Sequence, residues 1–239
     1  MGVIFLLHLM LSVYETSLFL AILFDSPRQT TTILSHLIPD IYSTLSTPSS
    51  CLVVIISLIH HLVAAYPSQV TFRQHLHTLP SSLLPLDSES RVWITSLASN
   101  LRSLNYSKFE KLTRPSSFSP LFDVTHKQDH RTSTFHSINC LHSSADLANR
   151  ALHVLIDSLR TKAREKSWHV IRSAYRELAC HPGSGDTQDW LERSLALSSI
   201  IPAACESTAL HGWLEKKSRE GQVKQKDGAE GRWIICKVR

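Results

Sequence analysis

Seven cations crowd the C-terminal end of the chain: Lys216, Lys217, Arg219, Lys224, Lys226, Arg232 and Lys237. Clustered Lys and Arg side chains neutralise phosphates and release their counterions. The chemistry they offer is sequence-independent, salt-sensitive contact with nucleic acid. Glu215, Glu220, Asp227 and Glu230 interleave them, so the patch is moderate and would also suit a mixed-charge protein surface. Arg172 and Arg176 sit one helical turn apart and add a basic edge beside an aromatic stripe. Residues 1–149 carry nine Lys/Arg and nine Asp/Glu, whereas residues 150–239 carry sixteen and eleven. The whole excess behind the net charge of +5 therefore lies in the last 90 residues. That asymmetry points to an acidic partner for the C-terminal part.

Other residues with chemical potential are less ordered. His126, His130, His136, Cys140 and His142 are metal-ligand types. A zinc site holds four ligands in a defined geometry, mostly from paired close spacings. These spacings are irregular, and a polar His-rich loop with no metal is the expectation. No GxSxG elbow, GxxxxGK[ST] or GxGxxG occurs, so neither an activated serine nor a phosphate cradle is visible. Asp87 and Glu89 stand at a helix start, where capping accounts for them. The expectation is a protein without enzymatic activity or cofactor. The five cysteines (51, 140, 180, 205 and 236) are odd in number, widely spaced and without a CxxC, as in reduced, partly buried thiols.

The elements that must position these residues read as helices. Of seven glycines only Gly2 precedes residue 183, and the chain before it is built of short Leu-rich blocks. The stretch Leu147–Leu178 contains no Gly and no Pro. Leu152, Leu155, Leu159 and Ala163 follow helical spacing, as do Trp168, Ile171, Tyr175 and Leu178. The charged run Arg160–Lys166 spans a phase break between the two stripes, which predicts two helices or one bent helix. Trp93, Leu97, Leu101 and Leu104 form a third stripe. Ser26, Pro27 and Gln29 read as a capped helix start, and Pro39 as a kink or division. Each of Trp93, Trp168, Trp190 and Trp213 lies in an apolar stripe and is expected in a core, while Trp233 stays open to a surface role.

Two segments raise the question of a membrane. Met1–Tyr14 is uncharged but short of the roughly 18 residues of a span. Cys51–Tyr66 is 16 residues long, holds His60 and His61, and lacks Lys/Arg anchors. Both are expected to be buried helices, with a membrane span at residues 51–66 as the minor alternative. The chain opens without a polar lead-in, as if inside a domain. Residues 113–145, rich in Ser, Thr, His and Pro, read as a long loop or insertion.

Cys180–Gly185 is a break in composition, so the expected domains are 1–180 and 186–239. After it, Asp186 opens a helix with Trp190, Leu191 and Leu195, and Ala203–Arg219 forms another. Strands Gln222–Lys226 and Arg232–Val238 follow, with Asp227-Gly228 in the turn. Helix, helix and hairpin is the order of a winged helix. The predicted architecture is thus mainly α: an antiparallel helical-repeat domain followed by a small winged-helix module.

Several blocks in order resemble the GANP (Sac-three) family of nuclear mRNA-export scaffolds. They are Asp40-Ile41-Tyr42, Asn105-Tyr106-Ser107-Lys108-Phe109, Arg150-Ala151-Leu152 and Trp168 through Tyr175-Arg176, followed by the terminal winged-helix pattern. The resemblance implies a PCI-like helical-repeat domain with no enzyme activity. It also implies a nuclear scaffold that pairs with a second PCI-domain protein and a small acidic protein, and binds RNA at its winged helix. A smaller branch of the family implies a protein-only adaptor at centrosome and spindle. The 113–145 segment and the abrupt start depart from the family pattern.

Overall fold

The computed structural model describes residues 2–42, 50–122, 138–180, 185–198, 200 and 209–236. The described chain is mainly helical with a small three-stranded sheet, as the scarcity of glycine in its first 180 residues predicts. In chain order it forms α1 (Gly2–Leu23), α2 (Pro27–His36), α3 (Ser50–Ala65), α4 (Val70–Thr78), α5 (Glu89–Arg102), α6 (Tyr106–Leu112), α7 (Pro115–Phe122), α8 (Ile138–Ala174), β1 (Glu177–Ala179), α9 (Gly185–Ser194), α10 (Ala209–Arg219), β2 (Val223–Gln225) and β3 (Arg232–Ile235). Two compact units divide it. The first is Met1–Ala98 with Ser116–Leu159, and the second is Ser99–Pro115 with Arg160–Arg239.

The first unit is built on aliphatic burial. In α3 every residue from Val53 to His60 is buried. The sequence predicts a helix enclosed on most sides, and the structure shows one. α1 buries Leu11, Leu18, Phe19 and Ile22 but exposes Leu6, Leu9, Met10, Val13 and Leu20. This helix corrects the reading of Met1–Tyr14 as too short a run. It continues through Glu15 to Leu23, and its 18-residue stretch Leu6–Leu23 has a mean hydropathy of 1.8. By length and composition alone α1 could cross a membrane. Its one carboxylate, Glu15, is buried and accepts a hydrogen bond from the Tyr42 hydroxyl.

Local starts and stops follow ordinary chain chemistry, with some departures. Pro27 occupies the first turn of α2, but the Ser26 side chain makes no cap bond. Beyond α2 the chain widens into a π-type turn, Leu37–Ile41, that contains Pro39. Trp93, Leu97 and Leu101 are buried on α5 as expected. Leu104 is not on that stripe: the helix ends at Arg102, and Leu104 is 48% exposed with φ +58°. Asn105 then caps α6 by accepting from the Lys108 backbone N–H at 3.2 Å. Part of the expected 113–145 loop is helical, in α7 and the first turns of α8. Residues 123–137 of it lie outside the described residues.

The stretch expected to form two helices or one bent helix lies in one helix of 37 residues. Arg160 and Arg164 do not interrupt its inward face; they belong to it. Arg160 is 1% exposed. It donates from Nη1 to Thr113 Oγ1 at 2.6 Å, and from Nη2 to the Ser198 carbonyl at 2.7 Å and the Ala196 carbonyl at 3.1 Å. Arg164 donates to the carbonyls of Leu195 and Ala196, both at 2.9 Å. Together the two guanidiniums satisfy carbonyls left open just past the C-terminus of α9, where charge also complements the helix dipole. Glu110, 1% exposed, takes the Arg114 fork at 2.9 and 3.0 Å and accepts from the Ser198 hydroxyl at 2.8 Å. This pairing holds the Arg114 guanidinium protonated more firmly than usual.

The expected boundary at Cys180–Gly185 is not where the units part. Leu178 of β1, just before it, pairs with Trp233 of β3. Trp168, Ile171 and Leu178 share a core with Leu191, Leu195, Leu210, Leu214, Val223, Trp233 and Ile235. The second unit therefore recruits the C-terminal part of α8. Tyr175, expected on the inward stripe, is 47% exposed because α8 stops at Ala174 and the chain turns into β1.

Candidate nucleic-acid and partner interface

β3 is the central strand, with β1 and β2 antiparallel on either side. Leu178, Val223, Trp233 and Ile235 point inward, while Glu177, Lys224, Arg232 and Ile234 point out. The hairpin closes with Lys226 N–H donating to the Arg232 carbonyl at 2.9 Å. Gly228 and Gly231 take φ of +71° and +73° in its turn, a conformation that suits glycine. Trp233 is thus a core residue, 3% exposed. Trp168 Nε1 donates to Gln222 Oε1 at 2.6 Å, and its ring meets Trp213 edge-on at 4.7 Å.

The expected cations divide into three groups. Two are structural. Arg172 donates to Gln222 Oε1 at 3.1 Å and to the Cys236 carbonyl at 2.9 Å, and so fastens the hairpin to α8. Lys217 is 4% exposed, reaches Glu165 and Glu220 each at 3.1 Å, and lies 5.4 Å from the centre of the Trp213 ring. Neither side chain is presented for phosphate contact, which corrects their assignment as binding residues. A second group is exposed but engaged. Glu177 of β1 lies 3.3 Å from Lys226 Nζ and 3.5 Å from Arg232 Nη1, and Lys224 lies 3.9 Å from Asp227. The third group, Arg176, Lys216 and Arg219, is exposed and forms no ion pair among the described residues. Lys237 lies outside the described residues.

Two features leave no mark in the sequence. β1 has only three residues, too short an alternation to register as a strand, so Glu177 carries no expected role there. The inward arginines read as a solvated break because a charge is rarely buried. His126, His130 and His136 lie outside the described residues, and no group of three His, Cys, Asp or Glu able to hold a metal occurs among the described ones. Cys51, Cys180 and Cys236 are free and partly buried, and burial pushes the Cys180 thiol up to about 11.

The first unit holds a cavity of about 400 Å³ whose lining includes Thr31, Ser57, His60, His61 and His75. His60 Nε2 is 2.9 Å from the Thr31 hydroxyl, and His75 Nε2 is 2.8 Å from Ser57. The His61 ring lies 5.9 Å from that of His60 and 4.6 Å from that of His75. Burial, reinforced by His61, lowers His60 and His75 to about 4. Burial lowers His61 as well. Imidazoles of that strength are poor bases at neutral pH. No carboxylate is among the described residues that line the cavity.

No protein-family model, curated protein or solved structure matches this chain.

Proposed function

We propose that the chain is a non-enzymatic scaffold of a nuclear mRNA-export assembly. In this reading a PCI-like helical layer ends in a winged helix that binds nucleic acid and a second PCI-domain protein, with a small acidic protein as further partner. The observation that carries it is the order of the second unit. A helix, β1, two helices and the β2–β3 hairpin follow one another, with strand order β1-β3-β2, an order that suits a winged helix. The motif order that resembles the GANP family supports the same assignment.

Within this reading the phosphate-contacting set shrinks to the cations with no ion pair. Lys216 and Arg219 on α10 lead it, and Arg176 stands beside β1. Lys226 and Arg232 contribute less, because they already share Glu177 as a partner. An RNA titration over a salt series tests this. Lys216→Ala with Arg219→Ala is expected to weaken binding to all sequences alike. The same double variant should reduce the salt slope by about 0.7 to 0.9 for each phosphate no longer neutralised. A double variant that matches the parent at every salt concentration would remove nucleic acid from this surface. The protein-only adaptor, at centrosome or spindle, would then lead. Its supporting observation is the exposed sheet face, where Ile234, 40% exposed, stands in register between Glu177 and Lys224.

A further inference from the structure

The second unit carries a groove that none of the expected binding residues lines. Its volume is about 510 Å³, within the roughly 300–1,000 Å³ of small-ligand sites. Val170 and Ile171 of α8 lie on one side, the Ser103–Ser107 turn on another, and Tyr175 and Trp190 form an aromatic wall. The two rings meet edge to face at 5.6 Å. Tyr175 remains 47% exposed and Leu104 48% exposed, so apolar and aromatic surface faces water around a concavity. No carboxylate is among the lining residues.

Charges of both signs flank the lining in sequence, with Glu165, Glu177 and Glu192 two residues from Ser167, Tyr175 and Trp190. Arg102 precedes Ser103, Lys108 follows Ser107 and Arg176 follows Tyr175. All three are exposed or half-buried and form no ion pair among the described residues. The nearest acid in sequence, Asp189, lines a separate depression with Glu110, Arg114 and Arg193. The wing differs: its cations each face a carboxylate. A flat π-surface with hydroxyls nearby and free cations around it matches a ligand that joins a ring to an anionic backbone.

We infer that this groove, between the Ser103–Ser107 turn, the end of α8 and α9, seats an unstacked base of single-stranded RNA against Tyr175 and Trp190, with Arg102, Lys108 and Arg176 along its phosphates. Stacking on an aromatic side chain is tolerant of base identity, and a basic track supplies the affinity. The inference rests on the nucleic-acid reading above and places a base where that reading had only phosphates.

The test is a titration of labelled oligouridylate with the full chain, its Tyr175→Ala and Tyr175→Phe variants, and an abasic strand of equal length. Tyr175→Ala is expected to weaken binding roughly 5- to 150-fold, the range for removal of one stack, without changing the salt slope. Tyr175→Phe keeps the ring and should bind like the parent. The abasic strand should bind the parent as weakly as oligouridylate binds Tyr175→Ala, an arm that does not depend on a variant folding. Equal binding of oligouridylate and abasic strand by the parent overturns this inference alone and leaves the phosphate surface standing. A parent that binds neither strand overturns both readings. A groove that takes an acidic, aromatic-containing peptide but no oligouridylate is a protein site, and the inference falls.

Discussion

The two units handle polar groups in opposite ways. In the first, the interior is aliphatic and its polar inclusions are few, Ser57, Thr30 and His60 among them, with Glu15 as its one buried carboxylate among the described residues. It also leaves large apolar side chains exposed along one face of α1. The second unit takes charges in. Arg160, Glu110 and Lys217 are nearly inaccessible, each with its partners in place, while its surface carries the remaining ions. A basic excess in sequence is therefore not the same quantity as a basic surface. Part of the C-terminal excess is internal framework, since a buried ion that keeps its partners is retained, whereas one that loses them is costly.

The largest effect that would break this contrast is removal of Arg160. Arg160→Ala leaves the Thr113 hydroxyl and the Ser198 carbonyl without their guanidinium donor and is expected to destabilise the second unit by about 1–3 kcal/mol for each acceptor left unpaired. Amide exchange should rise along Arg160–Ile235 while α3 stays protected. In the first unit the equivalent damage takes an aliphatic deletion: Leu58→Ala, at a fully buried site, should cost about 2–5 kcal/mol. If Arg160→Ala melts like the parent, the buried ions are incidental and the contrast fails.

Intermediate in size is the pH response of the first unit. His60 and His75 are held near 4 when folded, against an ordinary 6.5. Folded, they stay neutral, while the unfolded chain takes up protons from about pH 6.5 downward. Their contribution is complete above 6.5 and is lost as pH falls from there towards 4. Thermal unfolding followed across that window should show a decline that the His60→Asn/His75→Asn double variant flattens. An unchanged decline in the double variant would place the acid sensitivity elsewhere.

The smallest effect on stability concerns α1. Leu9→Gln with Val13→Gln lies on exposed positions and should alter stability by no more than about 0.5 kcal/mol per site. Partitioning is the sharper readout. The scaffold reading expects the parent in the supernatant after alkaline carbonate extraction. Recovery in the membrane pellet, reversed by the two substitutions, would make α1 a lipid-facing element.

Much of this is legible in the sequence where local and global signals agree. The closure of the hairpin around Asp227-Gly228, the enclosure of α3 and the Trp93–Leu101 stripe all follow from period, length and turn residues. Legibility fails where a residue acts against its type. Arg160 and Arg164 keep the inward register of α8 but are charged, so the stripe looks broken. Tyr175 keeps helical spacing from Trp168 and Ile171 but falls one residue past the helix end, so it looks buried. At the candidate site the cations can be counted, yet whether each is free depends on Glu165 and Glu177, which lie 52 and 49 residues away from Lys217 and Lys226. Pairing over that distance has no local signature.

Glu177 has a consequence for whatever approaches the hairpin. Lys226 and Arg232 come to an encounter already occupied, so an incoming anion there acts as a competitor that must evict a tenant. Such a surface discriminates by threshold. A solitary, weakly held acid gains nothing by exchanging places with a carboxylate, whereas a dianionic or forked one does. Eviction would also free Glu177 on β1 to seek a cation on the newcomer. The wing thus favours a doubly charged or forked anion over a single weak one.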